Sequence, residues 1–330
     1  MSIKVQKNIL LSKYTTFKIG GPAKFFCVVE NIDEIRETFK FAEKNKLKIF
    51  ILGEGSNILI SDKGFDGFVL KIQDTKYKIQ TNNKIFVGSG LSLAKLVSES
   101  VKNNLTGLQW AAGMPGAIGG AIVNNAGASG MSMMNIVEEV EILEIITQPP
   151  LSGGISFSPD KGRLGGIRRL TNKQCKFSYR NSIFKEEKKY IILNAVLKLK
   201  KGNEEKSRKM ISEILKSRKE KQPFEYPSAG SIFKNPVLDD NHLRRLIKEN
   251  SELENISKNN TIPAGWFIEN LGLKGKKIGG AMISEKHGNF IVNMGNAKAE
   301  NVIILISLIK QKVRDNFSIQ LKEEIEYVGF

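Results

Sequence analysis

The 330-residue chain is poor in the side chains that bind metals and form bridges: it has two cysteines, Cys27 and Cys175, and two histidines, His242 and His287. Structural zinc takes about four nitrogen or sulfur ligands, so a tightly held metal is not expected. One disulfide is possible by count. Cys27, however, lies inside the apolar run Phe25-Phe26-Cys27-Val28-Val29, where a buried, reduced thiol behaving as a small hydrophobe is the expected state. Long apolar runs are also missing. The longest, Val302 to Ile309, is flanked by charge and falls well short of the roughly 18 residues a membrane helix needs. The opening segment from Met1 to Lys7 has no apolar stretch of the signal-peptide type, which makes the cytoplasm the expected compartment.

Acidic side chains are outnumbered. Lys and Arg total 51 against 34 Asp and Glu, a net charge of +17. That balance raises a nucleic-acid-binding reading. The lysines are spread along the whole chain, with no zinc finger, aromatic RNA-binding signature or basic arm, so a solvated basic surface is the stronger reading. Its field draws in polyanionic small molecules.

The length and a hydrophobic content of 41% support two or three domains with proper cores. Phe25–Val29 reads as a buried strand. Asn31, with Glu34 three residues on, opens a helix carrying Ile32, Ile35, Phe39 and Ala42 at helical spacing. Lys48–Leu52 is the next strand, and this β-α-β order predicts parallel strands. Beyond Asp62 come short alternating runs, Phe68–Ile72 and Lys84–Val87, and then a helix capped by Ser92 with Leu93, Leu96, Val97 and Val101. A helix is expected over residues 204–221 with Met210, Ile211, Ile214 and Leu215 inward, ended by Pro223. Further helices are expected at 239–250, 263–271 and 297–314, the last with Val302, Leu305, Ile306, Ile309 and Val313 inward, followed by an alternating strand from Ile319 to Val328. The class is α+β with mixed sheets. The predicted domains are 1–222, in lobes of about 1–72 and 73–222, and 223–330, with the last strand able to return to the first lobe. Gln148–Arg169 is rich in Pro, Gly and Arg and reads as an inserted surface loop between hairpin strands at Val140–Ile145 and Leu170–Lys176.

Two glycine-rich segments carry the chemical signal. Gly53-Glu54-Gly55-Ser56-Asn57 follows a predicted parallel strand, where ligands gather. It lacks the third glycine of the dinucleotide fingerprint and leads into strand-like Ile58-Leu59-Ile60, and no Walker-type G-K-[ST] occurs. The richer segment runs from Gly113 to Ala128, with Pro115, Gly116, Gly119, Gly120, Asn124, Asn125 and Gly127. Glycines let backbone N–H groups approach a diphosphate closely, and the two amides can donate to phosphate or to a ring carbonyl.

Paired, these segments resemble the flavin-binding domain of vanillyl-alcohol-oxidase-type (PCMH-type) flavoproteins. Four downstream stretches then resemble the UDP-N-acetylenolpyruvoylglucosamine reductases: Tyr179-Arg180-Asn181-Ser182-Ile183-Phe184-Lys185, the run Ser228–Pro236, Gly265–Glu269 and His287–Asn293. The resemblance covers nearly the whole chain in order, and Gln148–Arg169 is its main departure.

The resemblance implies non-covalent FAD, NADPH as reductant, and reduction of UDP-N-acetylglucosamine enolpyruvate, an enolpyruvyl ether, to a lactyl ether, with hydride passing from the flavin. The FAD-binding residues it implies are Gly53, Glu54, Gly55, Ser56 and Asn57 with Gly113, Pro115, Gly116, Gly119, Gly120, Asn124, Gly127 and Ala128. Arg180 stabilises the enolate-like charge, because a guanidinium matches a carboxylate fork. Ser231 donates the proton, with Ser228 its neighbouring competitor. Glu324 stands five residues before Gly329, as the family pattern requires of its glutamate, whereas strict alternation favours Glu323. Lys234 and Asn235 are expected to contact substrate; His287 either lines the same cleft or is a hydrogen-bonded structural histidine, and His242 reads as surface. A compact substrate domain and a monomer or weak oligomer are expected. A flavin-linked sugar oxidase is the nearest rival, and it would typically carry a tethering histidine in a glycine-rich loop, which this chain lacks.

Overall fold

The computed structural model describes residues 3–146 and 163–330. Its contacts form two compact units: Met1–Leu10, Pro22–Gly55 and Gly64–Arg218 in the first, and Leu11–Gly21, Ser56–Lys63 and Lys219–Phe330 in the second.

Two larger sheets organise the first unit. One has the strand order Gln6–Leu10, Pro22–Val29, Phe65–Ile72, Ile49–Leu52, and its last three strands run parallel. The expected β-α-β unit is present, with Phe65–Ile72 inserted between its two strands. The helix Ile32–Lys44 buries Ile35, Phe39 and Ala42. Asn31 Oδ1 caps it, accepting from Glu34 N–H at 3.0 Å, while the Glu34 carboxylate accepts from Glu30 N–H at 2.7 Å. The other sheet is antiparallel, in the order Arg163–Thr171, Val137–Ile146, Tyr190–Lys198, Lys84–Gly88, Tyr77–Ile79. The Ser92-capped helix Leu93–Lys102 shares a core with it, where Leu96, Val140, Ile142 and Leu197 are buried.

Three sequence expectations need correction. Of Gln148–Arg169, residues 148–162 lie outside the described residues, but Arg163–Arg169 belongs to a strand rather than a loop. It is an edge strand with mostly exposed side chains, so no apolar alternation marks it. Its cross-strand partners are charged instead: Arg168 lies 3.2 Å from Glu144 and Arg169 lies 3.3 Å from Glu141. The helix Glu204–Lys221 is present, yet Met210 and Leu215 are 50% and 43% exposed. Its inward stripe is Ser207, Ile211 and Ile214, with Ser207 buried and accepting from Gln109 Nε2 at 2.9 Å. A polar residue in that stripe hid the true phase. Finally, the C-terminal strand spans only Glu326–Val328; before it, Glu323 makes an isolated bridge to Phe233.

The second unit holds the antiparallel sheet Ser228–Ser231, Phe290–Asn293, Ala281–Ile283, Lys277–Ile278. The helix Ala299–Phe317 buries Val302, Leu305, Ile306, Ile309 and Val313, the expected stripe, in a core with Phe233, Phe267 and Ile291. Early chain segments complete this unit, so its boundary is not a single cut near Pro223. Glu326–Val328 pairs in parallel with Ile58–Ile60, and Phe17, Ile19 and Leu59 enter the core. Asn293 Nδ2 donates to Phe17 O at 3.0 Å, Thr16 Oγ1 to Ser228 O at 2.7 Å, and Ala299 N–H to Asp62 Oδ2 at 2.9 Å.

Candidate active site

In the first unit the two glycine-rich segments meet. A Cβ on Gly53 would lie 3.5 Å from that of Ala117, so the end of the Ile49–Leu52 strand abuts the entry to the short helix Ile118–Val123. Gly113 and Gly116 hold φ of 76° and 143°, which L side chains rarely adopt. Gly119 donates its N–H to Ser89 O at 2.8 Å, and a Cβ there would sit 3.0 Å from Ser89 Cβ, so its role is close packing. Gly127 is similarly pressed, by the Met131–Ser132 backbone. Gly120 differs: a side chain there would meet nothing within 4 Å, leaving an open glycine face. Pro115 is exposed between Gly113 and Gly116, and Ala128 ends the short strand Gly127–Ala128, paired with Met131. Gly53, Glu54 and Gly55 belong to this unit, whereas Ser56 and Asn57 belong to the second. An open glycine face joined to left-handed glycine turns fits a group carrying a diphosphate, such as FAD.

The stretch 178–185 is tied to the same loop at four points. Arg180 Nη2 donates to Gly127 O at 2.9 Å, and Asn125 Nδ2 donates to Ser178 O at 2.8 Å. Ser182 Oγ donates to Val123 O at 2.6 Å, and Lys185 Nζ to Asn124 Oδ1 at 2.7 Å. Arg180 has φ of 54°, and its guanidinium lies 5.3 Å from the Tyr179 ring centre. Asn125 is therefore a structural clamp, since its Oδ1 also accepts from Met134 N–H at 2.9 Å. Ser182 and Lys185 stand in the quoted motif, yet nothing in their spacing announced these bonds. Lys71 was missed altogether. Its ammonium donates to Gly53 O at 2.9 Å and lies 3.7 Å from Glu54. The available signal was a lone lysine in the apolar run Phe68–Ile72.

In the second unit Ser231 ends the Ser228–Ser231 strand, opposite Phe290, after Gly230 at φ 77°. Asn289, also missed, holds the following residues: its Oδ1 accepts from Phe233 N–H and its Nδ2 donates to Phe233 O, both at 2.9 Å, and Ile232 N–H donates to Asn289 O at 2.9 Å. Glu324 N–H donates to Ile232 O at 2.7 Å, and Asn57 Nδ2 donates to Glu324 O at 3.1 Å. The backbone of Glu324 thus lies against the residue next to Ser231. Glu323 turns elsewhere, its carboxylate 2.9 Å from Lys310 on the Ala299–Phe317 helix. Burial, reinforced by Glu323, pushes the nearby Tyr327 hydroxyl up to about 12.

The remaining residues divide. Lys234 is half-buried and its N–H donates to Lys322 O at 2.9 Å. Asn235 Oδ1 accepts from Ala264 N–H at 2.9 Å, capping the helix Ala264–Asn270. His287 packs on that helix, its ring close to Gly265, and its Nδ1 accepts from Asn289 N–H at 3.2 Å. Burial holds its imidazole below the ordinary range, with Glu269 opposing the shift. His242, expected at the surface, is half-buried and bonds Phe317 O at 2.9 Å through Nε2. Cys27 and Cys175 are buried and unbridged; burial raises their thiols to about 11 and about 12. Among the described residues no cluster of metal-ligating side chains occurs, and no helix is long and apolar enough to cross a membrane.

The fold and loops place this chain among FAD-linked oxidoreductases: a family model described as an FAD binding domain matches residues 23–149. A second, described as the UDP-N-acetylenolpyruvoylglucosamine reductase C-terminal domain, matches residues 222–328. The chain is 38% identical over 326 residues to the reductase of that name from Caldanaerobacter subterraneus, covering 99% of this chain and 94% of the relative. It is 36% identical over 327 residues to the Bacillus subtilis reductase, with coverage of 99% and 94%. A crystal structure of the Thermus caldophilus reductase aligns over 99% of both chains at 29% identity with a TM-score of 0.74. The chain belongs to the UDP-N-acetylenolpyruvoylglucosamine reductase family.

Proposed function

We propose that this chain reduces UDP-N-acetylglucosamine enolpyruvate to UDP-N-acetylmuramate, a step in peptidoglycan precursor synthesis. FAD, when bound, supplies the two-electron relay between NADPH and the enol ether. The paired glycine segments hold that cofactor through Gly53–Asn57 and Gly113–Ala128, and the basic surface attracts both nucleotide substrates. Cytoplasmic placement accords with soluble nucleotide substrates of this kind.

The residue roles follow from charge and reach. Arg180 is permanently cationic and stabilises negative charge as it gathers on the enolpyruvyl carboxylate. Ser231 holds the proton on Oγ and delivers it to the adjacent carbon; Gly230 leaves room for the substrate to approach. Glu324 orients that exchange, and the pairing of Glu323 with Lys310 supports this choice between the two neighbours. Lys234 binds the diphosphate, with Asn235 and His287 on the substrate side.

One observation carries the reading: a permanent cation, Arg180, is bonded to the carbonyl of Gly127 in the loop that would hold the cofactor. The test is an anaerobic visible spectrum of the purified protein. Bleaching of the flavin by NADPH, and its recovery when UDP-N-acetylglucosamine enolpyruvate is added, is the expected result. Recovery only with oxygen would favour an oxidase, and a protein that takes up no flavin would end the proposal.

A further inference from the structure

Lys71 lies directly opposite Leu52 in the parallel pairing of Phe65–Ile72 with Ile49–Leu52. Both neighbours in its strand, Leu70 and Ile72, are buried or half-buried, and the Lys71 side chain is itself only 14% exposed. A cation so placed loses hydration and must recover it from specific partners. It has two. The Nζ donates to Gly53 O at 2.9 Å, one residue beyond its cross-strand partner, and stands 3.7 Å from Glu54 Oε1.

The consequence follows from peptide geometry. A trans peptide is planar, so its carbonyl and the next N–H point in opposite directions. A charged donor that holds Gly53 O therefore holds Glu54 N–H pointing away from the Phe65–Ile72 strand. Glycine has no Cβ to restrict its side of that plane, so the bond from the lysine adds a constraint that the backbone at Gly53 supplies weakly. This peptide stands where the first glycine segment abuts Ala117 and the second.

We propose that Lys71 is a positioning residue for cofactor binding: it pre-sets the Gly53–Glu54 peptide so that the N–H of Glu54 faces the diphosphate of FAD. The inference rests on the flavin reading above and adds a residue outside both glycine segments. Lys71 acts through the peptide and need not touch the ligand. A donor bonded before the ligand arrives reduces the ordering left for binding to accomplish, so its effect falls on affinity.

The experiment uses FAD-free full-length protein, wild type and the variants Lys71→Met and Lys71→Arg. Each is titrated with FAD by flavin fluorescence, checked by thermal unfolding, and followed by deuterium uptake of the segment around Gly53. Lys71→Met should weaken FAD binding by about 10- to 100-fold, the range for losing a hydrogen bond to a charged group. Uptake around Gly53 should rise in the FAD-free Met variant, and Lys71→Arg should restore most of the affinity. A folded Lys71→Met that binds FAD within about twofold of wild type overturns the inference. If the Met variant does not fold, Lys71→Arg decides: near wild-type affinity supports the inference and a loss like that expected of Met overturns it. Wild-type protein that takes up no FAD sinks the flavin reading itself, a separate outcome.

Discussion

Arg180 reaches back 53 residues to donate from Nη2 to the carbonyl of Gly127 at 2.9 Å. The bond latches the glycine-rich loop, and the proposed mechanism gives the same guanidinium a second task, stabilising charge on the substrate. The two are separable. Arg180→Lys keeps charge and loses the planar fork, and kcat should fall by about 10²–10³ at saturating FAD. Steady-state rates measured beside FAD titrations check this. Rates that return to wild type once FAD is saturating would leave Arg180 a latch and nothing more.

Glu323 and Glu324 are neighbours with different surroundings. Glu324→Gln should lower kcat by about 10²–10⁴, and Ser231→Ala should do likewise, with FAD affinity held in both. Glu323→Gln breaks the 2.9 Å pair with Lys310, whose members are 23% and 29% exposed. It should cost about 1 kcal/mol of stability or less and leave turnover near wild type. Kinetics and chemical denaturation of the three variants decide the assignment; a larger kinetic defect in Glu323→Gln would reverse it.

Gly120 offers a trade between stability and binding. It sits inside the Ile118–Val123 helix, where alanine is favoured over glycine by about 0.5–1 kcal/mol, and a Cβ there meets no atom within 4 Å. Gly120→Ala should raise the unfolding temperature of the FAD-free protein while weakening FAD binding. Unchanged FAD affinity would mean that the cofactor does not cover this face.

His287 sets a pH dependence. Burial keeps its imidazole below the ordinary value of 6.5, whereas the unfolded chain takes up the proton near that value. The unfolded state therefore binds more protons below about pH 6.5, and stability should decline as pH falls from there through the lowered folded value, with a slope of at most about 1.4 kcal/mol per pH unit. Calorimetry at several pH values between 7 and 5 should show a shallower decline in His287→Gln. Parallel curves for the two proteins would refute the assignment.

Local pattern was enough for much of this molecule. The stripe Val302, Leu305, Ile306, Ile309 and Val313 is buried as its spacing required, because helical periodicity is a property of adjacent residues. Asn31 and Ser92 cap the helices they precede for the same reason. The glycine segments and the Tyr179–Lys185 stretch were visible as composition, before any geometry. Where a polar residue occupies an inward position, as Ser207 does, the pattern misled, and Met210 and Leu215 turned out exposed. The sequence pattern places the hairpin partner of Val140–Ile145 too late, at Leu170–Lys176 instead of Arg163–Thr171, because its pairing is backbone and charge rather than apolar alternation.

What the sequence by itself determined was the inventory: most helix phases, the turn glycines, a buried Cys27 and a set of motif stretches too specific to be a plain scaffold. Only the tertiary structure shows that Glu323 and Glu324 have different surroundings, because Glu323 pairs with Lys310, a residue on another element. It alone revealed Lys71 beneath Gly53, Asn289 around Phe233, and the early segments that complete the second unit. Hydrogen bonds between residues distant along the chain leave no local periodicity. They become legible when folding brings their partners within about 3 Å.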